Sequence, residues 1–339
     1  MPPNSPASPT DRLLAGLSER QREAVTHADG PLLIVAGPGS GKTRVMAHRV
    51  AYLIGEKGIP PWKILAVTFT NKAARELRER CERLVGRGSD ELQVRTFHGF
   101  CSRVLRSDGE HVGLKPEFTI YDDDDQARVV RRILDDLDID PKQFPPRVLL
   151  SVVSSSKNNM HSPAQFAERT ETYREEVAAR VYEAYEGALQ RANAVDFDDL
   201  LLKTFMLLEG SPEILEKYQQ RFEHLLVDEF QDTNPLQFQV ARLLALKSRN
   251  ICVVGDPDQS IYSWRNADIR NILSFKRDYP DAKVVSLEEN YRSTRNILEA
   301  AKSLIAPNRE RLEKELYTRK DKGAPVEVHE AHNEEEEAQ

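Results

Sequence analysis

Short apolar runs recur along the chain, each followed by helical or turn-rich sequence: LLIV (Leu32 to Val35), ILAV (Ile64 to Val67), LLV (Leu225 to Val227), ICVV (Ile251 to Val254) and VVSL (Val284 to Leu287). Unbroken runs rich in β-branched residues suit strands covered on both faces, as in a parallel sheet. Strands alternating with helices predict an α/β fold with parallel crossovers and ligands at the carboxyl ends of the strands. Between roughly 111 and 195 the texture changes. DDDDQARVVRRILDDL and EEVAARVYEAYEGALQRA read as charged helices, separated by PKQFPP and the polar VSSSKNNMHSP, with no strand pattern. An all-helical insertion between strands of one sheet is expected there. Its opening carboxylates, Asp122 to Asp125, are read as a helix start, where caps and the helix dipole favour acidic residues, rather than as a metal site.

After VVSL the pattern thins. The helical STRNILEAAKSLI (Ser293 to Ile305) leads to one more strand candidate, VEVHEA (Val326 to Ala331), and then to EEEEAQ. Two strands cannot bury their faces alone, so a second α/β domain that is only begun is expected. The predicted layout is a disordered tail over 1–16, a first domain over 17–110 plus 195–280, the helical insertion over 111–194, and a truncated second domain over 281–339.

The 339 residues suit roughly two or three domains of ordinary size. No stretch approaches the roughly 18 consecutive apolar residues of a membrane helix, and MPPNSPASPT lacks the basic-then-apolar pattern of a secretory signal. Cys81, Cys101 and Cys252 offer neither a disulfide framework nor a metal spacing. A cytoplasmic protein with no membrane partner is expected. The net charge of −7 argues against a nucleic-acid partner until its position is considered, because the last 13 residues hold six Glu and no Lys or Arg, leaving −1 on the rest. Local charge is then what matters. Basic residues gather in NKAARELRER (Asn71 to Arg80), in YSWRNADIR (Tyr262 to Arg270) and around Arg292 and Arg295, where an ordinary solvated helix face is the competing explanation.

The strongest local signal is AGPGSGKT: Ala36, Gly37, Pro38, Gly39, Ser40, Gly41, Lys42 and Thr43, between the strand LLIV and a helical stretch. Small residues let backbone N–H groups wrap an anionic oxygen cluster, Lys42 can reach the β and γ phosphates, and Thr43 can hold Mg²⁺. The strict pattern wants Gly where Ala36 stands. Asp228 and Glu229 close the run HLLVDEFQDTN. At a strand end beside a phosphate loop, one carboxylate can serve Mg²⁺ and the other can orient or deprotonate water. Gln259 and Arg292 are candidates for sensing and stabilising a γ-phosphate, with turn formation and surface salt bridging as the bland alternatives. Finally, GDPDQSIYSWRNAD turns sharply after ICVV and presents Tyr262, Trp264 and Arg265 within four residues. Either Trp264 folds back to cap the core or it faces a ligand.

Taken together, these stretches resemble the superfamily 1 DNA helicases of the UvrD/PcrA/Rep family, in order and over nearly the whole chain from about residue 17. The resemblance implies a RecA-like ATP-binding domain using ATP and Mg²⁺, single-stranded DNA and single/double-strand junctions as partners, and 3′ to 5′ movement. It implies that Gln21 in LSERQREAV and Tyr291 in LEENYRST contact adenine, and that the family's loop accepts Ala36. It also implies that Phe69 and Asn71 in VTFTNKAARELRER, Thr96 and His98 in VRTFHGFC, and Tyr262, Trp264 and Arg265 contact DNA. DFDDLL (Asp196 to Leu201) fits as well. Family members continue through the rest of a second RecA-like domain, so a split ATP site is expected here, with weak turnover and no unwinding. Two rivals remain open: a non-catalytic nucleotide- and DNA-binding interaction module, and a nucleotide kinase or generic P-loop ATPase.

Overall fold

A computed structural model describes residues 8–86, 89–309, 311–312 and 314–338 of the protein, without the side chains of Pro9 and Arg265. Its centre is a six-stranded parallel sheet. The strands are β1 (Leu32–Ala36), β2 (Ile64–Thr68), β3 (Gln93–Thr96), β6 (His224–Val227), β7 (Ile251–Gly255) and β8 (Lys283–Leu287), in the order β3-β2-β6-β7-β1-β8. All pairings are parallel. Alternation decides the two faces. Leu33, Val35, Leu65, Val67, Leu225, Val227, Ile251 and Val253 point into one hydrophobic core, and Leu32, Ile34, Ile64, Ala66, Leu226, Cys252 and Val254 into the other. Each Val, Leu and Ile among them contributes about 1.5–3 kcal/mol by burial. That is why the strands read as unbroken apolar runs.

Helices cover both faces. The early ones are α1 (Pro9–Leu14), α2 (Glu19–Thr26), α3 (Lys42–Gly55), α4 (Asn71–Val85) and α5 (Phe97–Asp108). The insertion follows as α6 (Asp123–Asp136), α7 (Pro146–Asn158), α8 (Pro163–Ala167) and α9 (Tyr173–Arg191), around its own core of Val130, Leu134, Val177, Val181, Tyr182 and Tyr185. Then come α10 (Phe197–Gly210), α11 (Pro212–Arg221) and α12 (Pro235–Ala245). Asp122 caps α6, accepting from the N–H groups of Asp124 and Asp125 while Asp125 reaches back to the Asp122 N–H. The acidic run is therefore a capping box.

Four expectations are corrected. The tail is not featureless from residue 8: Ser8 and Asp11 form a capping box on α1, and His48 Nδ1 lies 2.8 Å from the Leu13 carbonyl oxygen, tying the segment to α3. VVSL, expected to open the second domain, joins the first sheet, because β8 pairs with β1 from Leu32↔Lys283 to Ala36↔Leu287. VEVHEA forms no strand, and Val328 is 92% exposed. The insertion, expected without strands, is closed at its base by two short ones, β4 (Thr119–Ile120) and β5 (Ala194–Val195), in parallel register. β3 was not read as a strand because QVRT is polar. Among the described residues it is an edge strand paired with β2, and it needs one apolar residue, Val94.

Candidate nucleotide and nucleic-acid site

The phosphate loop leaves the sheet at Ala36 and enters α3 at Lys42. Ala36 needs no glycine freedom. It is the last paired residue of β1, its methyl group fully buried. The sharp turns fall later, at Gly39 (φ 69°) and Gly41 (φ 89°), conformations that strain any residue with a side chain. Ser40 is buried and its Oγ donates to the Gly37 carbonyl at 2.7 Å. The stretch after β8 packs directly on the loop. Asn290 Nδ2 donates to the Pro38 carbonyl at 2.7 Å, while its Oδ1 accepts from the N–H groups of Arg292 (2.8 Å) and Ser293 (2.7 Å). The Tyr291 N–H donates to Gly39 O at 3.0 Å, and a Cβ on Gly39 would meet Arg292 Cβ at 2.8 Å. Arg292 thus begins its side chain against the loop.

Across the sheet, Asp228 and Glu229 follow β6. Asp228 is buried, its backbone N–H on Val67 O, and Glu229 turns in the left-handed region (φ 47°). Such a conformation costs about 1–2 kcal/mol outside glycine, and it throws the Glu229 carboxylate toward the loop. Lys42 Nζ donates to Glu229 Oε2 at 2.9 Å and, at 3.5 Å, lies at the limit of reach of Gln259 Oε1. Gln231, also buried, bridges: its Nε2 donates to Glu229 Oε2 at 3.0 Å and its Oε1 accepts from the Asp256 N–H at 2.9 Å. Gln259 Nε2 donates to Asp256 Oδ2 at 2.7 Å. The loop lysine, the carboxylate pair and the β7 turn therefore form one connected set.

Burial, with Glu229 beside it, pushes the Asp228 carboxyl up to about 7, and the same causes push Asp232 to about 6. A buried acid so raised is a site where a cation would be welcome. Thr43, half-buried in the first turn of α3, and Asp228 supply the hard oxygen donors that Mg²⁺ prefers. The residues fit such an ion.

The far end of the chain roofs this site. Lys314, almost wholly buried, pairs with Asp256 and, at 3.0 Å, with Asp258, and Arg311 makes a two-pronged contact with Asp258 at 2.9 Å on each prong. Burial alone would raise Asp258, but the hydrogen bonds from Arg311 and Lys314 outweigh it and hold the carboxyl low. Leu316 lies on Gly37, where an added Cβ would collide with its methyl groups. Beside the loop a cavity of about 180 Å³ is lined by Ser18, Gln21, Ser40, Glu289, Tyr317 and Arg319 among others. Gln21 is anchored there by Ser40 O (2.9 Å) and the Ser18 N–H (3.1 Å). Tyr291 stands outside the lining, its hydroxyl donating to Glu289 at 3.0 Å.

The expected DNA residues gather along the carboxyl ends of the same strands. Phe69 and Tyr262 meet with ring centroids 4.6 Å apart, and Trp264 follows 6.2 Å from Tyr262. Trp264 is 70% exposed, so it does not cap the core. Asn71 opens α4 and is exposed. Thr96 caps α5 by accepting from the Gly99 N–H, and His98 stands edge-on to Phe197 at 5.9 Å. The Arg265 side chain lies outside the described residues.

A family model described as the UvrD/REP helicase N-terminal domain matches residues 17–280. The chain belongs to the UvrD/REP helicase family. A second model, the UvrD-like helicase C-terminal domain, matches 285–339. Similar proteins include the ATP-dependent DNA helicase PcrA of Bacillus subtilis, 48% identical over 325 residues, which is 96% of this chain and 44% of that protein. The PcrA proteins of Leuconostoc citreum (47% over 329 residues, 97% and 44%) and Staphylococcus aureus (48% over 327 residues, 96% and 45%) are alike. The chain spans less than half the length of these curated relatives.

In this UvrD/REP family chain, sequence reasoning missed Gln231, Asp256, Asn290 and Lys314, which hold the site together, and Phe197, which is exposed beside His98. It also missed how the insertion is fixed. Lys157, at the end of α7, is fully buried among Glu186 (2.6 Å), Asp196 (2.8 Å) and Asp199 (2.8 Å). Those carboxylates outweigh the effect of burial and hold the lysine protonated. Next to it, Asn158 Nδ2 donates to Asp198 at 2.8 Å, and its Oδ1 accepts from Asn234 at 2.6 Å, six residues after Asp228. The signals were SSSKNN, a polar run within a helix, and the acidic DFDDLL that faces it. Among the described residues no helix is long and apolar enough to cross a membrane.

Proposed function

We propose that this chain binds ATP·Mg²⁺ and single-stranded DNA on adjoining parts of one sheet edge. The protein carrying it would use ATP hydrolysis to move 3′ to 5′ along DNA and open single/double-strand junctions. Lys42 and Arg292 bind and neutralise the phosphates, Thr43 and Asp228 hold the cation, and Glu229 takes the proton of the attacking water. Gln259 reads the γ-phosphate, while Gln21 and Tyr291 frame the base. Phe69, Tyr262 and Trp264 offer rings to bases, and Asn71, Thr96, His98 and Arg265 contact the strand. Bound Mg²⁺ supplies charge neutralisation at the phosphates.

One observation carries this reading. Gln259, within reach of Lys42, lies five residues before Trp264 on the same turn, so a change at the phosphates shifts the aromatic grip on the strand. The PcrA relatives are named as ATP-dependent DNA helicases, which agrees with it. The test is steady-state ATPase of the purified chain with and without oligo-dT, with Glu229→Gln as the blank. Strand-stimulated turnover that disappears in the variant supports the reading. ATP binding with no strand effect on either binding or turnover would overturn it and leave a generic P-loop ATPase.

A further inference from the structure

Two adjoining clefts open along the outer edge of the sheet, at β3. The first, of about 240 Å³, lies beside Asn71 and Thr96 and carries Arg75, Arg78 and Arg95. The second, of about 340 Å³, runs on between β3, α5 and α11 and carries Arg95, Arg103, Arg106 and Arg221. Arg95 belongs to both, so six arginines form one continuous track. Among the described residues none of the six pairs with a carboxylate; the arginine ion pairs lie elsewhere. Asp108, the carboxylate next to the second cleft, is already held by Lys217 (2.7 and 2.9 Å) and the Tyr218 hydroxyl (2.7 Å). Arg95 is half-buried, and burial together with Arg103, Arg78 and Arg221 disfavours its charge. The folded chain thus gathers cations that repel one another.

Such a gathering is stabilised by a multivalent anion. Guanidinium forks suit phosphate oxygens, and β3, four residues long, spans roughly 10 Å, enough to carry a strand past more than one phosphate. The aromatic side chains of the second cleft, Phe100, Tyr218 and Phe222, are each at most 5% exposed, leaving no apolar pockets for the side chains of an acidic peptide. The track begins at Asn71 and Thr96, where the proposed strand site ends.

We propose that the β3 edge is a phosphodiester track that continues the single-strand site beyond Thr96, with Arg95, Arg103 and Arg221 as its far contacts. This rests on the DNA-binding reading above. It adds sequence-independent backbone contacts remote from the aromatic residues, and hence strand length to the footprint.

The test measures binding of oligo-dT of about 8 and about 20 nucleotides by fluorescence anisotropy over a range of salt. It compares the chain with Arg103→Ala/Arg221→Ala and Arg103→Lys/Arg221→Lys. Both arginines are exposed, and melting temperatures verify folding. The Ala pair should weaken the long oligomer about 10-fold and flatten its salt dependence by about 0.7 in slope per lost contact. Affinity for the short oligomer should stay, and the Lys pair should restore most of the loss. Equal effects on both oligomers, or none, would overturn the track while leaving the aromatic site intact. If the unaltered chain bound neither oligomer, the DNA reading would fall and the track with it. Poly-glutamate binding that depends on these arginines, without a DNA length effect, would reassign the surface to an acidic protein.

Discussion

Lys42 and Glu229, 187 positions apart, meet at 2.9 Å between the phosphate loop and the carboxylate pair. The lysine cannot hold both this carboxylate and a nucleotide's phosphates at full strength. On the proposed reading, nucleotide arrival would draw Lys42 away and free Glu229 to accept a proton. Lys42→Ala should lose ATP affinity at least about 10-fold, whereas Glu229→Gln should keep ATP binding and lower turnover about 10²- to 10³-fold. A fluorescent ATP analogue and single-turnover phosphate release measure the two. A Glu229→Gln chain that turns over normally would remove Glu229 from the proposed chemistry.

The raised carboxyl of Asp228 makes a prediction about pH. Its value is near 3.9 when unfolded and about 7 when folded. Between those values the native chain binds a proton the unfolded chain has released, so this group's contribution to stability is lost as pH rises through the window. Asp228→Asn cannot titrate. It should melt higher than the parent at pH 8, with the difference shrinking toward pH 5, and should gain less from Mg²⁺·ATP. Thermal melts across pH check this; a constant difference between the two chains would contradict it.

Trp264, exposed next to Tyr262, should matter to the strand more than to the nucleotide. Trp264→Ala should weaken oligo-dT binding by about 1–3 kcal/mol and leave ATP affinity nearly unchanged. Equal losses in parallel titrations would mean that the side chain supports the turn rather than the strand.

Lys157 is the buried cation of the insertion, and removing it leaves three carboxylates facing one another. Lys157→Met should destabilise the chain by about 3–5 kcal/mol, read by urea unfolding. A loss below about 1 kcal/mol would show that water or protonation compensates for the missing charge.

Much of this was legible because the chemistry is local. AGPGSGKT, VDEFQDTN and GDPDQ each carry turn-forming residues directly after an apolar run, so sequence alone puts them at strand ends. What stayed hidden depends on partners far apart. Asn290 looks like a loop residue until its amide is seen on Pro38, and Lys314 looks like a surface lysine until it is buried beside Asp256. The sheet that β8 joins is not legible, because an apolar run does not say which neighbour it pairs with. Only the register with β1 decides that.

The position of β1 also bears on how the protein is made. Among the described residues, the strand that carries the phosphate loop pairs with β7 and β8, residues 251–255 and 283–287. During synthesis Leu32 to Ala36 emerge more than 200 residues before the strands they pair with. Such pairing across long separations is slow and leaves sticky surface exposed. A ribosome-bound chain halted before residue 251 should be protease-sensitive around Leu32 and rely on chaperones. The loop that β1 carries is translated long before the strands that hold it in place.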